Sequence, residues 1–292
     1  MTPTPTFFES KNTLTCNGEL LDLSDPVVMG IINITNDSFY HGSRFKQKRR
    51  IYNRAKQIIE EGGKIIDIGA FSTRPGSNPV SEDQELQRLS KAAATIRKHF
   101  PYAIISVDTY RASVAQRMVN DFGVNIINDI SAGEMDKNMF TTVAELGVPY
   151  IAMHMLGTPL SMQNNPQYDN VINALFKYFT SKTEELKRLG VNDIILDPGF
   201  GFGKTLKHNY AILNNLETFR VFNLPLLVGV SRKSMIYQPL NTEPKSALNG
   251  TTVLNTIALL KGAKILRVHD VKEAVEAIQL TQTCTSEQLK NS

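Results

Sequence analysis

Asp108, Asn128, Asp197 and Lys233 are of the types needed to read the edge of a flat heterocycle. A carboxylate accepts two parallel N–H bonds from an amidine-like edge. An amide beside it supplies a donor and an acceptor, and an ammonium donates to a ring carbonyl or nitrogen. A structural ion pair is the alternative use of Asp197 and Lys233. Met153 and Phe202 are candidates for apolar walls around such a ring, although both residue types also serve as plain core. A second set is neutral or cationic: Asn33, Arg74, Arg267 and His269. Arg267 and His269 are two apart in ILRVHD, so on a strand they point the same way. Asp270 stands three residues before Glu273, the spacing of a capping box at a helix start. Two donors beside a helix N-terminus make an anion site, and (β/α)8 barrels often bind phosphate after their seventh and eighth strands. The alternative is a surface pair of Arg267 with Asp270 and a packed His269 ring.

The stretch LDPGFGFGKT, residues 196–205, resembles a nucleotide-binding loop. The phosphate loop of nucleotide hydrolases needs four residues between its first glycine and the Gly-Lys pair. Counting back from Gly203 reaches Pro198, which has no N–H to offer. In the dinucleotide fingerprint Lys204 stands where the third glycine belongs. Both nucleotide readings fail, so the loop must serve whatever surrounds Asp197.

The elements that position these residues recur regularly. VVMGIINI, KIIDIG, AIISVDT, VNIINDI, PYIAMHM, DIILDPG, PLLVGVS and AKILRVH are short apolar runs, as strands buried on both faces require. IYNRAKQIIEEG, RASVAQRMVNDFG and VKEAVEAIQL carry apolar residues at helical spacing and stop at or near glycine or the end of the pattern. Eight such repeats predict an α/β fold, a (β/α)8 TIM barrel over residues 26–280. A doubly wound sheet is the rival architecture. Asn17-Gly18 predicts an N-terminal β-hairpin within residues 1–25. Residues 281–292 read as a polar tail, and the chain reads as one domain. In barrels the active site lies at the C-terminal strand ends. Here those ends carry Asn33, Ser72-Thr73-Arg74, Asp108, Asn128-Asp129, His154, Asp197, Ser231-Arg232-Lys233, and Arg267 with His269.

Composition excludes several classes. The chain has 292 residues, of which 41% are hydrophobic and 21% charged, as in ordinary globular proteins. Two cysteines, Cys16 and Cys284, supply neither a disulfide framework nor a cysteine metal site. No signal peptide and no membrane span is read, which points to the cytoplasm. The net charge of +4 favours small anionic substrates slightly. The Lys46–Arg50 cluster reads as a solvated helix start, and no basic stripe suggests nucleic acid.

Seven stretches, MGIINITNDSF, IIDIGAFSTRPGS, SVDT, IINDIS, LDPGFGFGK, GVSRKSMI and LRVHD, resemble in order and spacing those of the dihydropteroate synthases, a folate-pathway enzyme family. The resemblance runs from Val27 to Leu280. It implies a stand-alone bacterial form that joins p-aminobenzoate to 6-hydroxymethyl-7,8-dihydropterin pyrophosphate and releases pyrophosphate. It places the pterin on Asp108, Asn128, Met153, Asp197, Phe202 and Lys233. Pyrophosphate falls on Asn33, Arg74, Arg267 and His269, with Mg2+ at Asn33. The p-aminobenzoate pocket falls on Phe39, Thr73, Pro75, Phe202, Lys233 and Ser234. Asn33, Arg74, Asp108, Lys233, Arg267 and His269 form the catalytic set. A homodimer and sensitivity to sulfonamides are also implied. The chain departs from the family pattern at Asn36 (usually proline), His41 (commonly aspartate), Ser43 (commonly glycine) and Ala70-Phe71. His41 carries no fixed negative charge and is left out of the catalytic set. The rivals are a pterin-dependent methyltransferase, which needs no anion cluster, and a pterin-binding protein without activity.

Overall fold

A computed structural model describes residues 12–286 apart from 17, 35–43, 72–79, 160–161 and 163–165, with side chains from residue 47 onward in the first helix. All eight predicted runs contain strands: β3 (Val27–Asn33), β4 (Ile65–Gly69), β5 (Ile104–Asp108), β6 (Ile126–Asp129), β7 (Tyr150–Met153), β8 (Ile194–Asp197), β9 (Leu227–Val228) and β10 (Ile265–Val268). They are parallel, and the sheet runs β8-β7-β6-β5-β4-β3-β10-β9. A bridge between Leu196 and Leu226 joins the two ends and closes the cylinder. Outside it lie α1 (Arg44–Glu60), α2 (Glu82–His99), α3 (Ala112–Phe122), α4 (Met139–Leu146), α5 (Val171–Arg188), α6 (Leu206–Asn214), α7 (Ser234–Tyr237), α8 (Leu248–Leu260) and α9 (Val271–Thr285). The three predicted helices fall in α1, α3 and α9. Lys48, Arg49 and Arg50 are exposed on α1, as a solvated helix face requires.

Strand alternation gives the barrel two unlike faces. Val28, Ile32, Ile66, Ile68, Ile105, Val107 and Ile127 belong to the outer core beneath the helices. The inward residues nearest the N-terminal mouth are Val27, Met29, Ile65, Ile126, Ile151, Ile195, Leu227 and Ile265. The predicted hairpin, β1 (Thr13–Cys16) paired antiparallel with β2 (Glu19–Asp22), plugs this mouth with Leu14, Cys16 and Leu21, together with Leu23. The Thr15 amide donates to Asp193 Oδ2 at 2.9 Å and ties the plug to the barrel. Burial and Asp193 push the Cys16 thiol up to about 12, so it stays protonated and inert. Two residues further along these inward columns the chemistry changes: Asp67, Asn128, Asp197 and Arg267 follow, with Ser106 after Ile104, whereas Ile31 and Met153 stay apolar. The cylinder is thus apolar and sealed at one end, and polar at the other.

Two expectations change at the C-terminus. Helix α9 runs on to Thr285, so the polar tail begins later than residue 281. Asp270 makes no capping bond at its start. Its carboxylate is gripped by Arg232 through Nε and NH2, each at 2.8 Å, which also removes the surface pair of Arg267 with Asp270. Val271, Ala274 and Ile278 are buried against the barrel of their own chain. That face of α9 packs on its own barrel, with Val275 partly buried beside it.

The loop after β8 resolves the glycine-rich stretch. Gly199, Gly201 and Gly203 have φ of 69°, 82° and 62°, in the left-handed region that disfavours side chains. A Cβ on Gly199 would lie 2.0 Å from the His154 carbonyl oxygen, so the loop can lie against the end of β7 only with glycine there. Lys204 turns inward and is 3% exposed. Its Nζ donates to the carbonyls of Gly199, Phe202 and His154 at 2.9, 3.0 and 3.2 Å, and lies 3.0 Å from His154 Nδ1. This lysine clamps its own loop, in agreement with the sequence reading that it does not hold phosphate. Burial pushes its ammonium down to about 7. Burial, and then Lys204, push the His154 imidazole down to about 3.

Gly199→Ala should therefore destabilise the protein by about 3 kcal/mol or more in chemical denaturation, through strain and a backbone clash. Gly201→Ala meets only the Lys233 Cδ at 3.3 Å, besides its strained φ, and should cost distinctly less. Equal losses would contradict the loop packing. His154 is neutral in the fold, so its contribution to stability is complete above its unfolded value of 6.5 and is lost as pH falls toward about 3. Measured between pH 6 and 4, His154→Gln should reduce the slope of unfolding free energy against pH by ~1.4 kcal/mol per unit at most. An unchanged slope would count against a buried neutral imidazole.

Candidate active site

At the polar end of the cylinder the sheet places Asp67, Asp108 and Arg267 in contact. Arg267 comes from β10 and its guanidinium faces inward. Its Nε donates to Asp67 Oδ2 at 2.8 Å and its NH2 to Asp108 Oδ2 at 2.9 Å, while NH2 also lies 2.6 Å from Asp67 Oδ2 as an ion-pair contact. Burial pushes the guanidinium down, but Asp67 and Asp108 more than offset this and hold it above its usual range. Burial raises the Asp108 carboxyl, Arg267 lowers it, and the neighbouring Asp67, Asp129 and Asp197 raise it again, leaving it at about 7. Among the described residues nothing hydrogen-bonds the buried Asp108 Oδ1, nor Ser106 Oγ below it. An unpartnered buried carboxylate oxygen is costly, and a ligand N–H would satisfy it. Asn128 joins the group, with Nδ2 3.5 Å from both Asp67 oxygens.

Asn33 ends β3 beside this group. A Cβ on Gly69 would lie 3.6 Å from Asn33 Oδ1 and 3.7 Å from Asp108 Oδ2, so the missing side chain at 69 leaves space between them. Across the barrel, Asp197 Oδ1 accepts from the Gly199 amide at 2.7 Å. Burial raises the Asp197 carboxyl while Lys233 and Arg267 pull it down, and a Cβ on Gly229 would lie 3.8 Å from Arg267 Cβ and 4.0 Å from Lys233 Nζ, so both cations flank one point of the mouth. Lys233 donates through Nζ to the Phe200 carbonyl at 2.5 Å rather than forming the ion pair with Asp197. The ammonium lies 4.7 Å from the centre of the Phe202 ring, a cation–π contact. Burial lowers it to about 8, against the pull of Asp197. Met153 packs with Ile130, Met155 and Met162, and Phe71, Tyr110 and Phe202 lean on that cluster, so the apolar wall is present.

His269 follows β10. Ser231 Oγ accepts from the His269 amide at 3.2 Å and lies 3.1 Å from Nδ1. With Nδ1 accepting the hydroxyl proton, the imidazole proton sits on Nε2, a neutral donor. Burial and Arg267 keep this ring neutral, its pKa lowered to about 4. Arg54 reaches from α1 to the His269 carbonyl. Between Ser231 and Lys233, Arg232 adopts φ 55°, a conformation rare for a side-chain-bearing residue. Its amide donates to Thr251 Oγ1 at 3.1 Å, and its guanidinium grips Asp270. The turn so fixed presents Lys233, and Ser234 opens α7 immediately after it.

The structure thus brings Asn33, Asp108, Asn128, Met153, Asp197, Phe202, Lys233, Ser234, Arg267 and His269 to one end of the barrel. Phe39, Thr73, Arg74 and Pro75 lie outside the described residues, as do Ser72, Asn36, His41 and Ser43. One expectation is corrected: the carboxylates and the cations are not separate sets, because Arg267 is already bound between Asp67 and Asp108. Asp67 itself escaped notice. Its signal was a single carboxylate inside the apolar run IIDIG, two residues from Ile65 and on the same face. A second omission is Glu85, fully buried, which accepts from Thr109 Oγ1 at 2.6 Å and pairs with Arg111. Arg111 donates to the Val80 carbonyl at 2.9 Å and Arg88 to the Ala70 carbonyl at 2.8 Å, on either side of residues 71–79. Among the described residues no cluster of three His, Cys, Asp or Glu side chains could hold a metal ion. No helix among them is long and apolar enough to cross a membrane.

Comparisons with known proteins agree with this geometry. The model of the family described as "Pterin binding enzyme" matches residues 29–269. The chain is 43% identical over 275 residues to the dihydropteroate synthase of Escherichia coli, covering 94% of this chain and 96% of that protein. It is 40% identical to the Haemophilus influenzae dihydropteroate synthase, covering 92% of this chain and 98% of the other. Among solved structures, the Yersinia pestis dihydropteroate synthase with a sulfonamide drug complex superposes with a TM-score of 0.87 at 40% identity, over 93% of this chain and 98% of the other. Sealed at one end and lined at the other with carboxylates, an amide and buried cations, the barrel belongs to the pterin-binding enzyme family, and within it to the dihydropteroate synthases, transferases of folate biosynthesis.

Proposed function

We propose that the chain condenses p-aminobenzoate with 6-hydroxymethyl-7,8-dihydropterin pyrophosphate, giving 7,8-dihydropteroate and pyrophosphate. The observation that carries this reading is the buried, unpartnered Asp108 Oδ1 beside Asn128 and Arg267, at the same mouth as Asp197 and Lys233. A pterin offers N–H groups and acceptors along one edge, which suits two carboxylates, an amide and an ammonium. Met153 and Phe202 would cover its faces. Arg267, His269 as a neutral Nε2 donor, Asn33 and Arg74 would hold the diphosphate.

An arylamine is a weak nucleophile, so most of the activation must lie in the electrophile. Departure of pyrophosphate leaves positive charge on the pterin methylene and ring, and puts negative charge on the leaving group. Fixed donors aimed at that negative charge lower the barrier, each by roughly 2.7–4 kcal/mol if it acts as a typical oxyanion donor. The carboxylates of Asp108 and Asp197 favour the pterin cation. The reaction is SN1-like, and the amine loses its proton after bonding, without a dedicated base. Mg2+ keeps several waters and takes few protein ligands beside substrate phosphates. The Asn33 side-chain oxygen fits that role as a single ligand, and the bound ion would neutralise charge on the leaving diphosphate. Phe202, Lys233 and Ser234, with Phe39, Thr73 and Pro75, would form the p-aminobenzoate pocket, which a sulfonamide would also enter. A cytoplasmic homodimer completes the proposal.

Incubation of the purified protein with both substrates and Mg2+ should yield dihydropteroate by mass spectrometry. In single-turnover experiments, substituents on the p-aminobenzoate ring should change the chemical rate little. No product would leave a pterin-binding protein or a methyltransferase, and a strong substituent dependence would replace the dissociative mechanism with an associative one. Arg267→Ala should weaken pyrophosphate by roughly 10- to 100-fold, as for a lost charge-assisted hydrogen bond. It should weaken a pterin lacking the diphosphate much less. Equal losses in calorimetry would contradict the division between ring and diphosphate.

A further inference from the structure

Asp67 is fully buried in β4, with Ile65 below and Gly69 above on the inward face. The space over Gly69 belongs to Asn33 and Asp108, which approach the missing Cβ position at 3.6 Å. Asp67 therefore stands one step beneath the groups assigned to the ligand. What it touches are two of those groups: Arg267 through Nε and NH2, and Asn128 through Nδ2.

The two carboxylates on Arg267 are held unequally. Asp67 Oδ2 accepts from Nε at 2.8 Å and lies 2.6 Å from NH2, whereas Asp108 Oδ2 meets only NH2, at 2.9 Å. The second oxygen of Asp108 is buried and unpartnered, while Asp67 spends both oxygens inside the protein. A guanidinium anchored at Nε by a second carboxylate keeps its orientation when its NH2 contact is exchanged. A guanidinium held by Asp108 alone would either follow Asp108 or lose its anchor when Asp108 turned to the ligand.

We propose that Asp67 is a positioning residue of the reaction: the permanent counter-ion that fixes Arg267 and Asn128 so that Asp108 is free to change partners from Arg267 to the pterin. This rests on the reading given under Proposed function. Asp67 does not contact substrate in this account. It acts through Arg267, and its loss should let Arg267 collapse onto Asp108, occupying the ring reader and withdrawing the diphosphate donor together.

The test is a double-mutant cycle of Asp67→Asn with Arg267→Gln, read on kcat/KM for the pterin pyrophosphate and on the dissociation constant of pyrophosphate with Mg2+. Asp67→Asn should lower kcat/KM by roughly 100-fold with little change in KM for p-aminobenzoate, and the double variant should be no worse than Arg267→Gln alone within about threefold. Pyrophosphate should bind at least fivefold more weakly to Asp67→Asn. The sign is informative, because removing a carboxylate that merely repelled the anion would tighten binding. Multiplicative losses in the cycle, or pyrophosphate binding that is unchanged or tighter, would overturn the proposal. Should Asp67→Asn not fold, judged by circular dichroism, Asp67→Glu carries the same cycle with the charge kept but misplaced. Failure of the parent protein to make dihydropteroate would sink the functional reading instead, and the pyrophosphate cycle would still decide whether Asp67 orients Arg267.

Discussion

A guanidinium buried between two carboxylates organises the working end of this barrel. Arg267 holds Asp67 and Asp108 within hydrogen-bonding distance, and without it two like charges would face each other in a low-dielectric interior. The rest of the architecture supplies what that cluster needs. The hairpin plug and the apolar inward layer exclude water from below. The parallel strands bring residues 200 positions apart in sequence side by side. The open end leaves one oxygen of Asp108 for a ligand. Buried ionic groups seldom raise stability over apolar replacements, and the proposed ligand recognition gives these a use beyond stability.

Around that cluster, further buried polar groups set the loops. Lys204 uses its ammonium on three carbonyls and on His154, drawing the glycine-rich loop against β7. Arg232 accepts a left-handed backbone and grips Asp270, so the turn carrying Lys233 is tied to the start of α9. Arg111, Arg88 and Glu85 tie the segments on either side of residues 71–79 to α2 and to the end of β5. In each case a cation satisfies main-chain carbonyls or a carboxylate near a strand end, where helix and sheet hydrogen bonding stops.

Much of this was legible in the sequence. Runs such as AIISVDT and DIILDPG are strands because apolar residues fill both faces and the polar residue falls at the mouth. The hairpin was legible from Asn17-Gly18, and the barrel end where Asp108, Asn128, Asp197, Arg267 and His269 meet was legible from their places at strand ends. Partner choice was not legible. ILRVHD suggested that Arg267 faces a diphosphate or Asp270, but the barrel delivers Asp67 and Asp108 to it, and Asp270 goes to Arg232. Those pairings depend on strand order and register rather than on local spacing. Asp67 was hidden by its apolar neighbours, and the structural task of Lys204 by its resemblance to a phosphate-binding lysine.

The central claim is that one mouth of the barrel reads a pterin edge with carboxylates while neighbouring donors hold its diphosphate. A crystal structure with bound pterin pyrophosphate tests it most directly. The account predicts the ring edge on Asp108, Asn128 and Asp197, with the Asp108 Oδ1 filled by a ligand N–H, and the diphosphate within hydrogen-bond reach of Arg267 and His269. A ring bound away from these carboxylates, or a diphosphate that leaves Arg267 untouched, would contradict it.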